Sequence, residues 1–166
     1  PSKVLLKIGN KTILEIINSR LKKIKLIDKI VYAIPKSKNN LKLFNFLKKK
    51  KLNIFLGSEK NVLQRFLNVS KKYKAKNIVR ITADCPFVDR NLIQKMMKFY
   101  LNNDFQYVSN TLNPTYPDGI DIEIFNSRLL NLAAKKSKKL NDKEHVTTFI
   151  KRNDKLKKYN YRYKKD

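Results

Sequence analysis

Residues 77–89 read NIVRITADCPFVD, and the rest of the chain is organised around them. Ile78, Val79, Ile81 and Thr82 have the composition of a strand buried on both faces. The run stops at an acid, a cysteine and a proline. Arg80 interrupts it with a charge that needs a partner or a ligand if it is buried. Pro86 biases Cys85 toward extended geometry. Asp89 can cap a helix over residues 90–102, and Val88 with Ile93 has hydrophobic-staple spacing. The stretch therefore reads as strand, short acidic loop, helix. Ligands of open α/β sheets gather at the carboxyl ends of strands, which places Asp84 where a metal-bound phosphate can be held.

Working outward toward the start, residues 52–56 form a short apolar run. Gly57, Ser58 and Glu59 then open a helix with Val62, Leu63, Phe66, Leu67 and Tyr73 on its apolar side. Free N–H groups at such a helix start suit an anion, and a simple serine cap is the plainer alternative. Upstream, a helix over 40–50 turns Leu41, Phe44 and Leu47 inward, and residues 28–34 read as a strand stopped by Pro35. Thr12 and Glu15 have capping-box spacing ahead of an apolar face made by Ile13, Ile16, Ile17, Leu21 and Ile24. Residues 3–8 pattern as a short strand, closed by a turn at Gly9 and Asn10.

Working outward toward the end, residues 105–109 read as a strand, followed by a turn-rich loop. The sequence GIDIEIF, residues 119–125, then alternates strictly. On a strand, Asp121 and Glu123 share the face opposite the isoleucines, about 7 Å apart. Such a pair can ligate a metal or accept hydrogen bonds from sugar hydroxyls; the alternative is a half-exposed strand with a wet acidic face. Helices over 127–138 and 143–152 follow, with Asp142 capping the second and Val146, Phe149 and Ile150 on its buried side. His145, the sole histidine, falls in that helix's first turn, where a structural role is commoner than a catalytic one. Residues 159–163 alternate like a strand. Strands alternating with helices imply an α/β sandwich with a largely parallel sheet.

At 166 residues the chain reads as one domain, 1–166, long enough to bury a sizeable core. No run approaches the ~18 apolar residues of a membrane span, no signal peptide is visible, and the single cysteine suits a reducing cytoplasm. None of the three glycines forms GxGxxG or GxxxxGK[ST], so a dinucleotide enzyme or P-loop ATPase lacks its phosphate loop. The net charge of +26 invites a nucleic-acid partner. The lysines, however, are spread over every predicted helix and outnumber the arginines, which weighs toward a solvated basic surface. A start at Pro1 rather than methionine suggests a piece of a longer protein.

Five segments in this order, PSKVLLKIGNKTILE, GSEKNVLQRF, VRITADCPFVD, YPDGIDIEIF and DKEHVTTFIKRN, resemble the cytidylyltransferases of the acylneuraminate and 3-deoxy-manno-octulosonate type, most closely the spore-coat polysaccharide branch. The resemblance implies a Rossmann-like three-layer sandwich of the nucleotide-diphospho-sugar transferase type, with a mostly parallel, mixed sheet. It implies a cytoplasmic enzyme, Mg2+-dependent and homodimeric, that joins CTP to a sugar acid and releases pyrophosphate in surface polysaccharide biosynthesis. By the family pattern Lys3 ends the phosphate-binding loop and Asp84 holds magnesium, these two being the catalytic residues. Lys3, Gly57, Ser58 and Arg80 meet the nucleotide, with Arg80 either bracing Asp84 or pairing with a core acid. Asp118, Asp121, Glu123, Glu144 and His145 face the sugar. The family's first strand and the greater part of its phosphate loop precede the residue matched by Pro1, and a C-terminal region follows Asp166, so the resemblance too implies a fragment. Two other functions fit the residues: transfer to another sugar or from another nucleotide, and a noncatalytic basic module that binds nucleic acid.

Overall fold

The structure, a computed structural model, describes residues 3–83 and 85–163. A 3-10 turn at Lys3–Leu5 leads to β1 (Lys7–Ile8) and β2 (Lys11–Thr12), which pair antiparallel. The strand expected over 3–8 is thereby cut to its last two residues, because the Leu6 N–H bonds back to the Lys3 carbonyl at 3.0 Å. Helix α1 (Ile13–Leu21) starts on the expected capping box. The Glu15 N–H donates to Thr12 Oγ1 at 3.2 Å, and the Thr12 N–H to Glu15 Oε2 at 2.9 Å. There follow β3 (Tyr32–Pro35), α2 (Leu41–Lys49), β4 (Ile54–Gly57), α3 (Val62–Lys72), β5 (Asn77–Arg80) and α4 (Arg90–Asn102). Then come β6 (Tyr107–Ser109), β7 (Glu123–Asn126), α5 (Ser127–Lys136), α6 (Leu140–Glu144), α7 (Thr148–Arg152) and β8 (Lys158–Asn160).

Strands β3 and β4 run parallel, in register from Tyr32↔Ile54 to Pro35↔Gly57. A further sheet has the order β5-β7-β6-β8, with β6 antiparallel to β7 and parallel to β8. The architecture is mixed α/β, as the alternation of strands and helices predicts.

Contacts divide the chain into two compact units, each assembled from separated stretches. Among the described residues, one comprises Ile30–Ile78 and Asn126–Lys155; the other comprises Lys3–Lys29, Val79–Phe125 and residues 156–163. In the first, α3 packs on α5 and α6, and Leu47, Leu63, Leu67, Leu130 and Ile150 are buried. In the second, Ile17, Val88, Ile93, Met96, Val108, Ile124 and Phe125 are buried. Each such side chain contributes roughly 1.5–3 kcal/mol by leaving water. Asp89 caps α4 through Leu92 N at 2.6 Å, and the staple pair Val88 and Ile93 is fully buried, as expected.

Several local expectations give way to tertiary structure. Strand β5 is half-buried along Ile78 to Arg80 and exposed at Asn77, not sealed on both faces. On α2 the buried residues are Leu43 and Leu47, while Leu41 is exposed; on α3 they are Leu63, Arg65, Leu67 and Ser70. β7 begins at Glu123 rather than Gly119, because the buried Asn110 side chain occupies the preceding backbone. Its Nδ2 donates to the Ile120 carbonyl at 2.8 Å, and its Oδ1 accepts the Ile122 N–H at 2.8 Å. The helix expected over 143–152 is broken into α6 and α7 at the buried Val146, which sits at φ 54. Asp142 does not cap it. The carboxylate is buried inside α6 and takes two 2.5 Å hydrogen bonds from Arg152, whose pKa they raise.

Candidate active site

At the carboxyl end of β5, Arg80 is placed by the strand against Glu123 of the same sheet. Glu123 opens β7, and its buried carboxylate accepts from Arg80 Nη1 on Oε2 and from the Tyr107 hydroxyl on Oε1, the latter at 2.6 Å. Arg80 therefore pairs with a buried acid of its own sheet. The pair is asymmetric in exposure, with 19% of the arginine side chain accessible against 3% of the glutamate. Asp121 and Glu123 do not form the same-face pair that alternation predicts: Asp121 is exposed ahead of β7, while Glu123 is buried. Glu123 is thus neither on a wet acidic face nor turned outward, because both carboxylate oxygens engage inward donors.

The loop after β5 is pinned on both sides of Asp84, which itself lies outside the described residues. The Cys85 N–H bonds to the Thr82 carbonyl at 3.2 Å, and the Val88 N–H to the Cys85 carbonyl at 3.3 Å. Arg20 reaches in from α1, and its Nη1 donates to the carbonyls of Pro86 and Val88 at 2.8 and 3.1 Å. A guanidinium that ties two turn carbonyls fixes the loop's path, so the loop is set by α1 as well as by its own proline. Asp118 is exposed beside Gly119, which adopts φ +85. A side chain on Gly119 would also meet the Phe87 ring, at 3.2 Å from Cδ2.

In the other unit, Gly57 ends β4, and Ser58 follows it without starting a helix. The helix cap is Asn61, whose Oδ1 accepts the Gln64 N–H at 2.9 Å, while Ser58 Oγ accepts the Asn61 N–H at 3.0 Å. The serine therefore shapes the turn before α3, and the expected helix start at residues 57–59 moves to Val62. Arg65, on the first turn of α3, donates Nη1 back to the Ser58 carbonyl. Glu144 ends α6 and His145 caps it, both exposed, with the Thr147 N–H on the His145 carbonyl at 2.5 Å. The histidine is thus at a helix end rather than in a first turn. Lys3 is exposed in the opening 3-10 turn.

The structure brings Arg80 together with Glu123, and Gly57 and Ser58 with Arg65. Asn110, Tyr107, Arg20 and Arg65 are the structural partners that the sequence does not single out. Asn110 carries the faint signal of an asparagine directly after a strand, and Arg65 that of a cation on an apolar helix stripe. Among the described residues, no three of His, Cys, Asp or Glu gather as a metal-holding group. Magnesium does not require one, since it accepts one or two carboxylates with the remaining positions filled by water and substrate phosphates.

The family described as cytidylyltransferase matches residues 1–166. The chain belongs to the cytidylyltransferase family. This family member is 42% identical over 155 residues to an uncharacterized protein of Methanocaldococcus jannaschii, covering 93% of the chain and 63% of that protein. It is 32% identical over 158 residues to the spore coat polysaccharide biosynthesis protein SpsF of Bacillus subtilis, covering 90% of the chain and 63% of SpsF. The chain thus spans just under two thirds of these curated relatives. A solved cytidylyltransferase from Leptospira borgpetersenii superimposes with a TM-score of 0.94 at 30% identity, over 100% of this chain and 71% of that one. A CMP:2-keto-3-deoxy-manno-octonic acid synthetase complexed with CTP gives 0.68 over 91% of this chain and 78% of its own; at 9% identity it shares the fold alone. These likenesses bear out the nucleotidyltransferase-type α/β fold for this cytidylyltransferase-family chain.

Proposed function

We propose that the whole protein transfers CMP from CTP to a sugar acid, releasing pyrophosphate, in the biosynthesis of a surface polysaccharide. The observation that carries the reading is the cytidylyltransferase family match over the entire chain. The similarity to SpsF, a spore coat polysaccharide biosynthesis protein, supports the glycan setting. In this reading the acceptor hydroxyl oxygen bonds to the α-phosphorus as the α–β bridging oxygen leaves with pyrophosphate, and the hydroxyl proton passes to solvent. Such a displacement needs in-line positioning and charge neutralisation more than a protein nucleophile.

Lys3 acts as a point charge on the triphosphate. Asp84 holds magnesium, which when bound neutralises phosphate charge. Gly57 and Ser58 approach the nucleotide, and Arg80 contributes its partly exposed guanidinium from the end of β5. Asp118, Asp121, Glu144 and His145 face the acceptor. Glu123 serves the site from within, by holding Arg80. The protein works as a homodimer in the cytoplasm; among the described residues no helix is long and apolar enough to cross a membrane.

The test is pyrophosphate release by the full-length protein with CTP, magnesium and a panel of sugar acids, beside Asp84→Ala. The expected result is CTP-dependent release that the variant loses. Release that persists in Asp84→Ala would remove that residue's role. A folded protein that releases none with any acceptor would sink the reaction.

A further inference from the structure

Arg65 has no role in the function above, and its position is a costly one. It lies on the buried stripe of α3 with 7% of its surface exposed. A guanidinium withdrawn from water loses solvation that an apolar residue of similar volume would not. Burial lowers its pKa, and the charge of Glu59 partly opposes that shift. Its Nη1 donates to the Ser58 carbonyl, while its Nε has no hydrogen-bond partner. Its stem lies directly on Gly57, where an added Cβ would stand 2.6 Å from Arg65 Cγ and 3.1 Å from both Cβ and Cδ. Gly57 does not adopt a left-handed φ, so the glycine makes room for the arginine rather than a turn. Ser58 Oγ accepts the Asn61 N–H and Asn61 Oδ1 the Gln64 N–H, so the segment is tied to α3 at Ser58 and at Asn61.

We propose that Arg65 is a positioning residue for the nucleotide: its stem on Gly57 and its guanidinium on the Ser58 carbonyl set the backbone of residues 57–61 against CTP. The inference rests on the reading of Gly57 and Ser58 as nucleotide-binding. A directional donor explains why a buried cation stands where methionine would fill the same space without desolvation.

The experiment uses the full-length protein, with CTP titrated calorimetrically and pyrophosphate release followed in parallel. Arg65→Met keeps the stem and removes the donors; Arg65→Lys keeps the charge and loses the planar fork. Both variants are expected to weaken CTP binding about tenfold, as loss of a charge-assisted hydrogen bond does, and to raise KM for CTP with little change in kcat. Gly57→Ala, which displaces the stem, should weaken CTP similarly, and Gly57→Ala with Arg65→Ala should be no worse than Arg65→Ala alone. A lowered thermal midpoint with wild-type CTP affinity in Arg65→Met overturns the positioning role, even if the wild type turns over CTP. A wild type that binds CTP without turnover removes the transferase reading, and the variants' affinities still decide the role of Arg65. A wild type that neither binds nor turns over CTP overturns both.

Discussion

Glu123→Gln should be among the most destabilising single substitutions in its unit, and the reason can be worked from its two partners. The carboxylate, 3% exposed, is shared between a guanidinium that is 19% exposed and the hydroxyl of the fully buried Tyr107. Removing one partner of a buried ion pair costs about 3–5 kcal/mol, because the other charge is left uncompensated. Water reaches part of Arg80, and glutamine retains one acceptor, so the expected loss lies at the lower end, about 3 kcal/mol. Tyr107→Phe removes only the hydroxyl donor, a hydrogen bond to a charged group, and should cost about 1.5–3 kcal/mol. Arg80→Met with Glu123→Gln should cost less than the sum of the single substitutions, since the second change then strands no charge. Urea unfolding with unchanged m-values measures all of these. A Glu123→Gln loss below about 1 kcal/mol, or strict additivity in the cycle, would refute a shared buried network.

Other outcomes follow from single contacts. Asp89→Ala removes the cap on Leu92 N and should lower stability by about 1 kcal/mol, read as a reduced urea midpoint, with Asp89→Asn nearly neutral. Gly119→Ala places a side chain at φ +85 against Phe87, and should cost roughly 1 kcal/mol or more in the same assay. Burial pushes the Tyr32 phenol from 10.0 to about 12. A folded-state pKa above the unfolded one gives stability that is present below pH 10 and lost as the pH rises toward 12. Tyr32→Phe should flatten that alkaline loss in a midpoint-against-pH profile, and an unchanged slope would refute the assignment.

What the sequence disclosed was local chemistry. Thr12 with Glu15, and Asp89 with Val88 and Ile93, are complete within a few residues, so their caps could be read before any partner was known. Strand ends could not, because they depend on what lies across the ladder. GIDIEIF alternates as a strand does, yet an asparagine ten residues upstream of Ile120 occupies its first half. Alternation also cast Glu123 as wet, a reading that assumes one face in water and cannot register Arg80 or Tyr107 across the sheet. Val146 at φ 54 is concealed for the opposite reason, since a β-branched residue advertises no left-handed backbone. For the site, the order of the five motifs identified the family, while the braces Arg20, Arg65 and Asn110 became visible only through contacts.

The interleaving of the two units has a consequence for synthesis on the ribosome. Strand β6 finds its parallel partner β8 only when Lys158–Asn160 has emerged, and α3 waits for α5 and α6 in the same way. Neither unit is a continuous stretch of polypeptide, so neither can be finished early and stored while the other is translated. The apolar faces of α3 and β6 that those later elements cover therefore stay open until residues 127–160 have emerged. A high-lysine, strongly cationic polypeptide keeps such a nascent chain dispersed by self-repulsion during that interval.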